Sequence, residues 1–306
     1  MKKVIVTGAT GFIGKALIKN LSENNIKVYA IVRNINNAKD IININNVELI
    51  CCNMSEVNQL KNLINNIDID VFYHLAWSGT SGDLRMNYDL QLMNVKYTCD
   101  AVKLAKDLGC NKFVFAGSIM EHESIKYVPE DGSYPSRHCI YKTAKLAAHY
   151  MGKTMAANIG IDFINAIISN VYGEGEISQR LISSTIKKLL NGEKTSFTSG
   201  EQLYDFIYIT DAARAFMEIG LQGKPFHSYY IGSGEPMPLK HFLTIIRDCI
   251  DKNIDLGLGK VLFDGSSLSY NEFDKDSLFR EFNFKCEVSF TQGIIKTIDW
   301  MKSLSL

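Results

Sequence analysis

Val4-Ile5-Val6-Thr7-Gly8-Ala9-Thr10-Gly11-Phe12-Ile13-Gly14 opens the chain with a β-branched run, a glycine-rich turn and the start of a Phe/Ile/Leu-periodic segment. The run reads as a strand and the periodic segment as a helix. Glycines at such a turn let backbone approach a pyrophosphate closely. The helix start behind them offers unpaired N–H groups and the positive end of a dipole. The spacing, G-x-x-G-x-x-G, is one residue longer than the common dinucleotide fingerprint, and three glycines alone are a weak signal. Set between a strand and a helix, they point to a phosphate cradle; a ligand-free βα turn is the bland alternative.

The same rhythm continues outward. Val28–Val32, Val47–Ile50, Val71–Leu75, Phe113–Ala116 and Phe163–Ile168 are near-continuous apolar runs of strand length. Such runs suit strands buried on both faces of a parallel sheet. Helix-length segments separate them, including long ones at about 84–108 and 136–159, so a doubly wound α/β sheet is expected. The Asn-rich stretch from Asn34 to Asn46 reads as a surface connection. After about residue 170 the rhythm changes. A helix at about 178–190 is followed by strand-like pieces at Lys194–Thr198 and Tyr204–Ile209, then helices at 211–221, 238–251 and 290–303. This predicts a cofactor-binding unit of residues 1–169 plus about 204–232. A smaller α/β substrate lobe, about 170–203 and 233–306, is interleaved with it.

Composition narrows the function classes. The chain has 306 residues, 46% of them hydrophobic, with Lys+Arg 33 balancing Asp+Glu 33. Zero net charge argues against a nucleic-acid partner, which selects a basic surplus. No apolar run approaches the ~18–20 residues that span a bilayer. The 7 Cys are odd in number and carry no C-x-x-C spacing. Reduced thiols in a cytoplasmic protein are therefore expected, without a metal site. Cys51-Cys52 reads as a strand end with one side chain in the core. Glu121-His122-Glu123 reads as a solvated loop rather than a metal site.

Two further features bear on chemistry. The second strand ends Ile31-Val32-Arg33-Asn34, with Val32 where an NAD site usually places an acid for the ribose 2′-hydroxyl. Arg33 suits the 2′-phosphate of NADP(H), so NADP(H) is preferred over NAD(H). Among the tyrosines, only Tyr141 has a lysine four residues on, Lys145, and i,i+4 side chains share a helix face. Shifting a phenol from its usual pKa of about 10 to about 7 takes roughly 4 kcal/mol, which nearby cations in a partly desolvated site can supply. Such a tyrosine can exchange a proton with an alkoxide. Ser118 ends the fifth strand at the carboxyl edge of the sheet, where α/β ligands bind.

Together Thr7–Gly14, His74-Leu75-Ala76-Trp77, Asn94, Ser118 and Tyr141/Lys145 resemble an extended short-chain dehydrogenase/reductase of the nucleotide-sugar epimerase/dehydratase family, with a Rossmann-type sheet. The likeness continues through Asn170-Val171-Tyr172-Gly173, Asp205-Phe206-Ile207-Tyr208, Tyr229–Gly234 and the terminal Thr291–Trp300 segment. The resemblance implies that the glycine turn (Gly8, Thr10, Gly11, Phe12, Ile13) and Arg33 bind the dinucleotide, with Asn53 and Met54 near adenine. Leu75, Ala76 and Trp77 would line the cofactor, Lys145 would bridge its ribose, and Asn94 would support the site. Tyr141 and Ser118 would carry out proton chemistry. Ser78 and Thr80 in the loop 78–82, with Ser118, Asn170 and Arg180, would meet a nucleotide-sugar substrate. A homodimer through helices about 84–108 and 136–159 is implied as well.

Departures from the family pattern narrow the reaction. Similar 4,6-dehydratases place an Asp-Glu pair after the strand-five hydroxyl, where this chain has Ile119 and Met120. Ile119 also argues against epimerisation beside the carbonyl. Tyr204, Ile167 and Ile168 stand where an arginine often grips a diphosphate. Arg180 can supply that charge, or it can cap a surface helix. His138 lies near the Tyr141 helix face and reads as a local structural residue or a substrate contact. The first expectation is an NADPH-dependent reductase of a 4-keto-6-deoxy nucleotide sugar. The alternatives are a 4-epimerase with bound NAD(P), a ketone or aldehyde reductase similar to plant dihydroflavonol reductases, and a dinucleotide sensor. A sensor usually loses the Tyr or Lys that this chain keeps.

Overall fold

Alternation in the apolar runs sorts their side chains onto two faces of one sheet. In β1 (Lys3–Thr7), Val4 and Val6 enter one core cluster and Ile5 the other. The computed structural model describes residues 1–64, 68–126, 138–263, 268–273 and 277–304. After β1 come α1 (Phe12–Glu23), β2 (Lys27–Val32), β3 (Val47–Cys51), the short α2 (Leu60–Leu63) and β4 (Val71–His74). Then follow α3 (Tyr88–Asp107), β5 (Lys112–Ser118), α4 (Met120–Lys126), α5 (Cys139–Ile159) and β6 (Asp162–Ile168). The later part holds β7 (Asn170–Tyr172), α6 (Leu181–Leu190), β8 (Leu203–Tyr204), β9 (Phe206–Tyr208) and α7 (Ile209–Gln222). It ends with β10 (Ser228–Ile231), β11 (Met237–Pro238), α8 (Leu239–Asp248), α9 (Ser277–Phe282) and α10 (Phe290–Leu304).

Among the described residues, seven strands form a parallel sheet in the order β10-β6-β5-β4-β1-β2-β3. The order reverses between β1 and β4, and such a switch point opens a crevice beyond the carboxyl ends of the strands. Helices cover both faces: α1 packs with α7 on one, and α3 with α5 on the other. This is the Rossmann-like doubly wound fold expected from the apolar runs. No helix among the described residues is long and apolar enough to cross a membrane.

Several expected elements differ in detail. The helix expected at 84–108 is a 3-10 turn at Gly82–Met86, then α3, with Asn87 as N-cap accepting from the Leu90 N–H. Asn87 closes one element and starts the next, which the apolar pattern alone does not reveal. Residues 136 and 137, the expected start of the second long helix, lie outside the described residues. Lys194–Thr198 is not a strand; Phe197 N–H reaches Gly257 O, and Thr195 Oγ1 reaches Leu256 O, in single contacts. The Asn-rich stretch is more than a surface connection, because Ala38 and Ile41 in it are fully buried.

The later segments are fastened to the sheet by a buried carboxylate. Asp205 accepts from the Tyr230 hydroxyl at 2.9 Å, the Ser233 N–H at 2.9 Å and the Gly234 N–H at 3.2 Å. Burial raises its pKa while these donors pull it down. The bonds join the β8–β9 segment to the end of β10, so the Asp-Phe motif acts here as a structural clasp.

Candidate active site

The glycine turn follows directly from β1. Gly8 takes φ +70°, a conformation that strains other residues, and the turn closes through Gly11 N–H to Gly8 O at 2.9 Å. Gly11 caps α1 without any side-chain hydrogen bond, and the first helical turn carries no acidic residue. That leaves the helix start suited to a phosphate. Behind the turn, Thr7 Oγ1 lies 3.0 Å from His74 Nδ1 and accepts from the Ala76 N–H at 3.3 Å. Burial, reinforced by the Lys145 charge, pushes the His74 pKa down to about 3, so the ring is a neutral strut between β1 and β4.

From this turn a cavity of about 700 Å³ runs along the carboxyl edge of the sheet. Every candidate cofactor and substrate residue named from the sequence lines it. At one end are the glycine turn, Arg33, Asn53 and Met54; at the middle, Leu75, Ala76, Trp77 and Asn94. Ser118, Tyr141 and Lys145 come next, then Ser78, Thr80, Asn170 and Arg180. The cavity gathers residues from β1 through the start of α6. That is the reach a dinucleotide and a second ligand would need.

Tyr141 and Lys145 share one face of α5 and are both buried. Burial holds the Tyr141 phenol above its ordinary pKa, opposed by the positive charges of Arg85 and Arg180 and a hydrogen bond from Ser118, while Glu121 adds to the rise. The Lys145 ammonium donates to Ala116 O at 2.8 Å and lies 3.7 Å from the centre of the Trp77 ring. Burial lowers its pKa to about 7; Glu121 favours the charged form and Arg180 disfavours it. A phenol and an ammonium so placed can shuttle a proton and hold a ribose.

Two polar arrangements escaped the sequence reading. The first is Gln91, fully buried on α3. It accepts from Trp77 Nε1 at 2.9 Å and donates to Gly79 O at 3.0 Å and Leu84 O at 3.1 Å. With Asn94, which exchanges bonds with Ser78 N–H and O, it straps the 78–84 loop to α3. Its position three residues before Asn94 was the available signal, since i,i+3 side chains are neighbours.

The second corrects an expectation. Glu121-His122-Glu123 is not a solvated loop but the first turn of α4, with Glu121 1% exposed. One Glu121 oxygen accepts from the Ser118 N–H at 2.8 Å; the other lies 2.9 Å from His149 Nδ1 and 3.3 Å from Asn165 Nδ2. Glu123 pairs at 2.5 Å with Lys142, itself buried on α5. His149 and Asn165 are 28 and 44 residues away from Glu121, which is why the local composition misread the segment. Asn165, a polar residue inside the apolar run of β6, was the one visible hint. No group of side chains able to hold a metal occurs among the described residues. Glu121→Gln should lower thermal stability by about 2 kcal/mol, because the amide presents a donor to Asn165. An unchanged melting temperature would show that the cluster contributes little.

Other candidates fall into place. Arg180 occupies the N-cap position of α6 but makes no side-chain cap bond; its guanidinium lines the cavity, 3.6 Å from Glu176. His138 is at the N-cap position of α5, exposed and away from the cavity lining. Ile119 is buried beside Ser118, and Met120 follows it on the cavity wall.

Comparison with known proteins agrees with this architecture. A model of the NAD dependent epimerase/dehydratase family matches residues 4–232. The human protein described as dTDP-D-glucose 4,6-dehydratase is 24% identical over 98% of this chain and 90% of its own length. The dTDP-4-dehydro-6-deoxyglucose reductase of Escherichia coli is 26% identical, over 83% of this chain and 84% of that protein. Among solved structures, a mutant of UDP-glucuronic acid 4-epimerase from Bacillus cereus, in complex with UDP-4-deoxy-4-fluoro-glucuronic acid and NAD, superposes with a TM-score of 0.82. It is 20% identical, and the match covers 99% of both chains. With a phosphate-ready glycine turn, a switch-point cavity and the Tyr141/Lys145 pair beneath that match, the chain belongs to the NAD-dependent epimerase/dehydratase family, enzymes of the extended short-chain dehydrogenase/reductase type.

Proposed function

We propose that the protein is an NADPH-dependent reductase of a 4-keto-6-deoxy nucleotide sugar, acting at the C4 carbonyl. The observation that carries this reading is the pair Ile119 and Met120 next to Ser118. Neither side chain can transfer a proton, so nothing at that position supports elimination of water. Glu121, one residue on, does not substitute, because its two oxygens are engaged by Ser118, His149 and Asn165.

The glycine turn and the start of α1 would hold the pyrophosphate, and Asn53 and Met54 the adenine. Arg33 lines the cavity just past buried Val32, which favours the 2′-phosphate of NADP over a bare ribose. A bound nicotinamide supplies the hydride. Tyr141 gives its proton to the carbonyl oxygen as charge develops there, Ser118 orients that oxygen, and Lys145 holds the ribose and favours the phenolate that remains. Ser78, Thr80, Asn170 and Arg180 surround the sugar and diphosphate, with the later segments of the chain as the substrate lobe. The exposed Leu92, Met93, Tyr150 and Met151 on the packed pair α3 and α5 support a homodimer across those helices.

A second reading, a nucleotide-sugar 4-epimerase with retained cofactor, is favoured by the family match and needs no other proton-transfer residue. Incubation with NADPH or NADH and a panel of 4-keto nucleotide sugars decides between them. Stoichiometric loss of NADPH absorbance, faster than of NADH, is the expected result. Interconversion of two sugars without net oxidation would sink the reductase in favour of the epimerase.

A further inference from the structure

Arg85 stands outside every role assigned so far. It lies in the 3-10 turn Gly82–Met86, on the loop that Gln91 straps to α3. Its Nε donates to Thr80 O at 2.7 Å, and its guanidinium carbon lies 4.7 Å from the centre of the Tyr141 ring. Among the described residues these are its contacts, with no ion pair. An arginine on a cavity wall, half-buried and without a carboxylate partner, is costly unless an anion forms beside it.

We propose that Arg85 is a positioning residue for Tyr141, the fixed positive charge beside which the phenolate forms as the proton leaves. The proposal rests on the reading of Tyr141 as the proton-transfer residue. The other groups that face this phenol divide by sign. Ser118 approaches from the end of β5 and Arg180 from the segment before α6, and both favour the phenolate; Glu121 on α4 disfavours it. The Trp77 ring meets the Tyr141 ring edge-on at 6.2 Å, and Lys145, one turn along α5, lies over that indole. Arg85 in turn feels Glu123 and Tyr204. Of the groups opposing burial at Tyr141, Arg85 acts most strongly, and it alone is stacked on the ring. Its tether to a carbonyl and the strapped loop keep that charge in place without reorganisation when the proton moves.

The test is a tyrosinate absorbance titration of the protein saturated with NADP+, each form compared with its own Tyr141→Phe counterpart so that the difference isolates Tyr141. Arg85→Leu is expected to raise the Tyr141 midpoint by about one pH unit, a tenfold change in phenolate fraction, and Arg85→Lys to restore most of the shift. With a ketone substrate, the alkaline limb of NADPH-dependent reduction should move up by the same amount in the leucine variant. If the leucine variant does not fold, Arg85→Gln removes the charge with a polar replacement and carries the same expectation. An unchanged midpoint in the charge-free variant, even with a raised KM, would overturn the proposal and leave Arg85 as a substrate contact. So would a wild-type Tyr141 that does not titrate before the protein unfolds. The titration needs no substrate, so failure of the sugar panel and failure of this proposal are told apart.

Discussion

Tyr141→Phe should reduce kcat by about a thousandfold, the scale of a lost general acid, while NADPH still binds with nearly its original affinity. The phenol is buried against Trp77 and Arg85, so phenylalanine fills the same space and removes only the hydroxyl. The glycine turn, Arg33 and the adenine end of the cavity lie elsewhere along it and keep their geometry. Steady-state turnover and fluorescence titration of NADPH read the two quantities separately. A fully active phenylalanine variant would refute the assignment of Tyr141. A variant that loses cofactor binding to the same degree would show that the hydroxyl is structural.

The second large effect is expected at Gly14→Ala. A methyl group built on Gly14 would sit 2.2 Å from Gly8 O and 3.2 Å from Ala9 Cα, both backbone atoms that cannot rotate away. Either α1 must retreat from the turn or the turn must open. Overpacking against backbone costs about 3 kcal/mol, and the cradle that would hold the pyrophosphate deforms in both cases. The expected outcome is a lower melting temperature together with NADPH affinity reduced by more than about tenfold, since each 1.4 kcal/mol lost at the site is a factor of ten. Equilibrium binding and thermal unfolding on the same sample check it. Normal affinity in the alanine variant would mean the helix start is not the phosphate site.

Much of this site was legible in the sequence because its parts are local. The glycine turn is one contiguous stretch, Tyr141 and Lys145 are one helical turn apart, and Ser118 ends an apolar run. Such features depend on spacing, which a linear sequence records. What stayed hidden depends on distant partners. Glu121 reads as part of a charged loop until His149 on α5 and Asn165 on β6 are brought against it. Arg85 was folded into a helix that begins three residues later, because its orientation follows from the N-cap at Asn87 and from the Gln91 strap. The late segment Lys194–Thr198 has strand-like composition yet meets only a loop, since no neighbouring edge is available to it there.

The strand order carries a consequence for how the molecule comes into being. β10, residues 228–231, completes the sheet beside β6, and α7 covers α1, which was made some 200 residues earlier. A nascent chain leaving the ribosome therefore holds an unfinished sheet edge and an uncovered apolar helix flank until about three-quarters of it has been synthesised. The nucleotide half cannot mature first and wait for the other. Its completion is gated by translation of the segment that also builds the sugar end, so an interrupted product would be sticky rather than a smaller working cofactor binder.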